Sequence, residues 1–286
     1  MKSYRALVNG KRLAFYTWGS ASKPPLLLIH GWMDSAACFD AVAEKLSKRH
    51  HVVGFDLHGF GRSNHSPFQT GYHFHAHVAD VHAVVAHELR AEKITLFGHS
   101  MGGNIAAYYT GMFPDRVERL INVEGFGLPD GDATSTVEKF RTWILAVSEQ
   151  PRARVYKTLD DYLERLAKSA PLAAPVVLKN QARHLVRRKK GGYVLRADVA
   201  HFLPEPDVYS AADFDHYVNK IRCPVLLIHG AETAYTWGHE LLAHMRKNLQ
   251  GPVRVEAIFG AGHMMHYEQP EMLAEIVGGW LVGTAK

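Results

Sequence analysis

Residues 94 to 109 read Ile94-Thr95-Leu96-Phe97-Gly98-His99-Ser100-Met101-Gly102-Gly103-Asn104-Ile105-Ala106-Ala107-Tyr108-Tyr109. Ile94 to Phe97 has the length of a buried strand and Asn104 to Tyr109 is compatible with a helix, so Gly98 to Gly102 falls on a strand-to-helix turn. A serine between two glycines on so tight a turn needs positions without side chains two residues before and two after it, and the strain aims its hydroxyl out of the sheet. An ordinary glycine-rich turn requires neither the strand before nor the helix after. The stretch therefore marks Ser100 as a candidate nucleophile.

Working outward, similar short runs recur at Leu26 to His30, His51 to Asp56, Leu120 to Glu124, Val225 to Gly230 and Val253 to Phe259, separated by amphipathic stretches. That alternation predicts an α/β fold, a parallel sheet with helices on both faces. Tyr4 to Asn9 and Arg12 to Trp18 flank Asn9-Gly10, a hairpin signal, so the sheet is expected to begin with an antiparallel meander. Between Glu124 and Cys223 the strand signals stop, and helix-like sequence broken by prolines takes over. The expected organisation is a core of residues 1–126 and 218–286 with a helical cap, 127–217, inserted between them. The cap aromatics Trp143, Tyr156, Tyr162, Tyr193, Phe202 and Tyr209 are expected to be mostly core, some of them facing Ser100.

With 286 residues, 47% of them apolar and 21% charged, the chain can bury about three quarters of its unfolded surface. Cys38 and Cys223 stand in no metal or redox spacing and read as free thiols. Met1 to Ser20 interleaves Lys2, Arg5, Lys11 and Arg12 with apolar residues and shows no secretory signal. Runs such as Leu26 to Ile29 fall far short of the roughly 20 residues of a membrane span. A cytoplasmic protein is expected. The net charge of +5 is spread along the chain apart from Arg183, Arg187, Arg188, Lys189 and Lys190, read as a solvated helix end. A docking surface for an acidic carrier partner is the alternative, and a lone basic cluster without a motif argues against nucleic acid.

A serine hydroxyl needs a general base. His263, in Gly260-Ala261-Gly262-His263, follows the last strand in a loop able to reach the strand ends, where ligands gather in open α/β sheets; His266 is the alternative. Of the 19 histidines, the run His73, His75, His77, His82 and His87 invites a metal reading. No carboxylate or cysteine set accompanies it, so a polar, partly exposed helix and no metal are expected. The base needs a carboxylate on its other nitrogen. Glu124, at the end of its strand, and Glu232, after Val225 to His229, compete for that place.

In order along the chain, His30-Gly31-Trp32, Asp56-Leu57-His58-Gly59-Phe60-Gly61-Arg62-Ser63, Gly98-His99-Ser100-Met101-Gly102-Gly103 and Gly262-His263 to Pro270 resemble the α/β-hydrolase superfamily. The resemblance implies an eight-stranded, mostly parallel sheet. It covers nearly the whole chain outside the cap. In that family the acid usually stands at the fourth position of a Gly-x-x-Asp after the strand Val225 to His229, which here is Thr233. Certain haloalkane dehalogenases and polyketide thioesterases of the family instead place a glutamate where this chain has Glu124, and Glu124 is favoured on that ground. The resemblance assigns the oxyanion donors to the backbone amides of Trp32 and Met101, and a structural role to Asp56 and Arg62. Trp32, His99, Phe126 and Trp143 are the expected substrate contacts.

A serine nucleophile argues against the family's dehalogenase and epoxide hydrolase branches, which attack with aspartate. The expected function is hydrolysis of an ester or thioester, or an amide, of a small to medium apolar acyl or aryl substrate through an acyl-enzyme, without a cofactor. The same triad serves carbon-carbon bond hydrolases, perhydrolases or haloperoxidases, and hydroxynitrile lyases, and some members are slow-turnover ligand receptors. A purely structural role would leave the strained turn without purpose. Monomer and dimer stay open.

Overall fold

The computed structural model describes residues 1–67, 70–131, 135–206, 209–234 and 238–283. The chain enters through a hairpin, β1 (Lys2–Val8) and β2 (Lys11–Trp18). Asn9 and Gly10 both adopt positive φ, 49° and 74°, as the tightest hairpin turn demands. β3 (Pro25–Ile29), β4 (His51–Phe55), β5 (Ile94–His99) and β6 (Val117–Val123) follow, then β7 (Val186–Lys189), β8 (Gly192–Leu195), β9 (Val225–Gly230) and β10 (Val253–Ile258). The main sheet has eight strands in the order β1-β2-β4-β3-β5-β6-β9-β10. β2 runs antiparallel to both its neighbours, and the pairings from β4 to β10 are parallel. The expected α/β architecture and its opening meander are both present.

The central strands are mostly apolar because both faces are covered. Leu27 and Ile29 of β3, with Val225 and Leu227 of β9, face one core. α2 (Phe74–Ala83), α3 (Met101–Met112), α7 (Ala211–Val218) and α8 (Gly238–Asn248) close it with Val81, Ile105, Phe214 and Met245. Leu26, Leu28, Leu226 and Ile228 face the other core. There α1 (Asp40–Leu46) and α9 (Pro270–Gly283) add Val42, Leu273 and Val277.

Between β6 and β9 lie α4 (Thr136–Glu149), α5 (Leu159–Ser169), α6 (Pro175–Leu185) and the β7–β8 hairpin ahead of α7. A third core of Tyr156, Tyr162, Leu166, Leu178 and Leu185 holds α5 and α6 and meets Cys38 and Tyr267 of the main body. The hairpin corrects the reading of the basic cluster as a helix end. Only Arg183 lies in the last turn of α6, whereas Arg187, Arg188 and Lys189 are on β7, paired with Val194, Tyr193 and Gly192. Gly191 and Gly192, at φ 89° and 144°, permit the reversal, and buried Val186 and Val194 anchor it.

Candidate active site

Ser100 joins β5 to α3 at φ 53° and ψ −121°, a conformation costing a non-glycine residue about 1–3 kcal/mol. The surroundings enforce it. The Ser100 amide donates to the Val123 carbonyl at 2.8 Å, and the Ser100 carbonyl accepts from the amides of Gly103 at 2.8 Å and Asn104 at 3.1 Å. A Cβ on Gly98 would strike the Gly102 carbonyl, and one on Gly102 would strike the carbonyl oxygens of Ile29 and His30. The turn is thus wedged between β3 and the start of α3.

One strand over, Glu124 ends β6 with a positive φ of its own, 55°. Its Oε1 accepts from the Gly230 amide at 2.8 Å, and Oε2 accepts from the Thr233 hydroxyl at 3.1 Å and lies 3.2 Å from His263 Nδ1. Burial opposes ionisation of this carboxyl, but the bonds from His263, the Gly230 amide and Thr233 hold it below the usual range. An imidazole donating from Nδ1 keeps the lone pair on Nε2, the form a base requires. Glu232 lies elsewhere: its two oxygens accept from the Gly260 and Ala261 amides, each at 3.0 Å, so it ties down the loop that carries His263.

Other contacts fix these parts, and the sequence reading did not foresee them. Buried Asn122 accepts from the Gly125 amide at 2.9 Å and donates to the Gly125 carbonyl at 2.7 Å, shaping the turn on which Glu124 sits. Glu268 accepts from the Gly262 amide at 2.6 Å. His99 Nε2 donates to the His263 carbonyl at 2.8 Å, and burial, with His266 and His263 nearby, pushes the His99 pKa well below normal, so the ring is neutral. The signal available was a polar side chain at a strand end or in a catalytic loop, where no solvent-exposed role is open.

The loop bearing Trp32 is fixed by His30, whose Nε2 accepts from the Leu57 amide at 2.9 Å while Nδ1 donates to the Gly31 carbonyl at 2.7 Å. Gly31 lies so near Ser100 that a Cβ on it would sit 3.1 Å from that of Ser100. Met101 N is the first amide of α3, where no carbonyl of the helix can accept from it. Asp56 ties the surrounding loops together, accepting from the Ser35 hydroxyl, the Tyr16 hydroxyl and the Arg62 amide. Ser100, His263, Trp32 and His99 line one cavity of about 500 Å³. Phe126, expected on this wall, is instead 6% exposed within the core under α3. Trp143 lines a separate hollow of about 60 Å³ that also touches Trp32 and Met101.

His266, the alternative base, is buried with Nε2 2.8 Å from Asp34 Oδ2. Its ring is stacked on Phe39. Burial opposes ionisation of Asp34, but His266 and the Tyr267 hydroxyl hold its carboxyl well below normal. Asp34, His99 and His266 bring ligand-type atoms within 4.8 Å of one another; two of the three are engaged in this pair. The histidine run lies on and around a partly exposed helix. His73, His75, His82 and His87 are exposed, but His77 is buried, because it faces Phe60 and Tyr72.

The described α/β hydrolase fold family model matches residues 24–270. The chain belongs to the α/β hydrolase fold family. Over 287 residues it is 24% identical to a "Serine hydrolase-like protein" of Danio rerio, covering 97% of this chain and 87% of that one. An "sn-1-specific diacylglycerol lipase" of Xenopus laevis is 28% identical over 259 residues, 88% of this chain and 77% of its own. Among solved structures, a "Thioesterase Domain From Curacin Biosynthetic Pathway" superposes with a TM-score of 0.84 at 23% identity, over 97% of this chain and 98% of that one. That likeness shows a shared fold. Together, the family and these relatives support a hydrolase. Among the described residues no helix of this α/β hydrolase is long and apolar enough to cross a membrane.

Proposed function

We propose that this chain is a serine hydrolase cleaving an ester or thioester of a small to medium apolar acyl or aryl group through an acyl-enzyme. The observation that carries the reading is the contact of His263 Nδ1 with the buried Glu124 carboxylate, with His263 and Ser100 on the wall of the same cavity. In this reading His263 Nε2 takes the Ser100 proton as the hydroxyl attacks the acyl carbon, then returns it to the leaving group. The amides of Met101 and Trp32 hold the oxyanion as the carbonyl oxygen gains charge. His263 next removes a proton from water, which attacks the acyl-enzyme and frees the acid and Ser100. The apolar wall of Trp32, Tyr162 and Leu166 supports an apolar acyl group, as does the lipase relative.

The test is hydrolysis of p-nitrophenyl esters across acyl lengths by wild type, Ser100→Ala and His263→Ala, each checked for folding by circular dichroism. Wild type is expected to turn over repeatedly, with an optimum at medium acyl length, and both variants to lose turnover. A wild type inert on every ester and thioester overturns the reading and directs the search to carbon-carbon substrates or to ligands bound without turnover.

A further inference from the structure

α5 is amphipathic, with Tyr162 and Leu166 buried, and it sends Arg165 and Lys168 to the wall of the cavity that holds Ser100 and His263. Residues three apart on a helix are surface neighbours, so the two cations form a pair. Arg165 is positioned: its Nη1 donates to the Tyr156 hydroxyl at 3.0 Å. Tyr156, 2% exposed, is held in turn by reciprocal backbone bonds with Tyr193 of 2.9 and 2.8 Å and by an edge contact with Tyr162. A guanidinium has five N–H donors, and among the described residues only the bond to Tyr156 uses one of them.

Among the described residues no carboxylate neutralises the pair. Among the described residues neither Arg165 nor Lys168 makes an ion pair, although Glu164 stands at the i, i+4 spacing to Lys168 that favours one. The two carboxylates on the same wall are spent, Asp34 on His266 and Tyr267 and Glu232 on the Gly260 and Ala261 amides. Leu185 and Leu195, which flank the basic β7–β8 hairpin, also line the cavity, and exposed Arg187, Arg188 and Lys189 add to the positive field at its edge.

We propose that the substrate carries an oxyanion group, a carboxylate or a phosphate, which Arg165 and Lys168 receive at the edge of the cavity while the apolar body of the substrate reaches Ser100. The proposal rests on the hydrolase reading given above and names the substrate class it left open. Charge-assisted bonds to a planar guanidinium and a neighbouring ammonium recognise such a group more strongly than any neutral one.

The experiment compares p-nitrophenyl hexanoate with the p-nitrophenyl monoester of adipic acid and with p-nitrophenyl 6-phosphonohexanoate. Each is assayed with wild type, Arg165→Gln, Lys168→Gln, the double variant and Arg165→Lys. Wild type is expected to favour an anionic ester in kcat/KM by about tenfold, and added salt to shrink the preference. The double variant is expected to bring the ratio to about one through a raised KM for the anionic ester, and Arg165→Lys to keep part of it. The carboxylate and phosphonate arms separate the two sources of charge. A wild-type ratio near one, or a ratio that the double variant leaves intact, overturns the inference while ester turnover still upholds the hydrolase. Should no ester be turned over, calorimetric binding of adipate and hexyl phosphate against hexanol decides it. Tighter binding of an anion by wild type than by the double variant upholds the inference, and equal binding refutes it.

Discussion

Replacing Glu124 by glutamine exchanges one carboxylate oxygen for an amide nitrogen and reverses the hydrogen bond with His263. The Gly230 amide, 2.8 Å from Oε1, must meet an acceptor, which forces the new side-chain oxygen to that position. The amide nitrogen then takes the place of Oε2, facing His263 Nδ1 at 3.2 Å and the Thr233 hydroxyl. Its N–H donates to Nδ1, so the imidazole proton moves to Nε2 and the base presents a donor to Ser100 where it needs a lone pair. The charge that stabilised the imidazolium is lost as well. For a triad with its acid replaced in this way the loss is roughly 10⁴-fold in kcat, about 5.4 kcal/mol at about 1.36 kcal/mol per decade. Glu232→Gln, which weakens the bonds to Gly260 and Ala261 but leaves the Nδ1 partner, is expected to cost less than about tenfold. Steady-state hydrolysis of a p-nitrophenyl ester, with thermal melts to confirm folding, measures both. If Glu124→Gln retained more than a tenth of wild-type kcat while Glu232→Gln abolished it, the assignment of the acid would be wrong.

Gly102→Ala should destabilise the fold by about 3 kcal/mol or prevent folding, because the new methyl meets the Ile29 and His30 carbonyls; an unchanged urea midpoint would contradict this. Asn122→Ala strips the Gly125 amide and carbonyl of buried partners and should cost about 2–4 kcal/mol, with kcat falling as the Glu124 turn loosens; full activity at full stability would refute the coupling. Burial holds His58 at about 4 and His77 at about 3, against about 6.5 in an unfolded chain. The unfolded state therefore binds protons that the fold refuses as pH drops below about 6.5, and stability should fall by up to about 1.4 kcal/mol per pH unit for each histidine, so a urea midpoint equal at pH 7 and pH 5 would be the contrary result. Thr233→Asp in the Glu124→Gln background returns a carboxylate to the neighbourhood of His263 and should recover at least about tenfold in kcat; no recovery in a folded double variant would show that only the end of β6 can hold the acid.

The sheet was legible because its central strands are buried on both faces, which leaves continuous apolar runs such as Leu26 to Ile29 and Val225 to Ile228, and because Asn9-Gly10 has few other uses than a hairpin. The turn at Ser100 was legible for a steric reason, that Gly98 and Gly102 have no room for a Cβ. The β7–β8 hairpin was not. Its strands have four residues each, and its charged face reads equally well as a helix end until the two glycines are given weight. Phe126, expected at the substrate wall, could not be placed from the sequence because its direction is set by the turn that follows it. The chain reverses through Gly127, at φ 96°, whose amide donates to Asn104 at 2.8 Å, and Phe126 turns into the core. Asp34 was invisible for another reason: its partners His266 and Tyr267 lie 232 and 233 residues away in the chain.

The departure at Thr233 has a physical account once β6 and β9 are seen to be adjacent, with Val123 opposite Ile228. Neighbouring strands lie about 4.8 Å apart, so a carboxylate reaching His263 from the end of β9 and one reaching it from the end of β6 converge on nearly the same place. A glutamate on β6 spans the difference with its extra methylene. A second carboxylate at position 233 would then face the first across hydrogen-bond distance, and like charges so close raise one another's pKa. A threonine there does the opposite: its hydroxyl donates to Glu124 at 3.1 Å and helps hold the charge against the cost of burial. The residue that breaks the expected pattern is therefore the one that a carboxylate at the end of β6 calls for, and the two positions read correctly only as a pair.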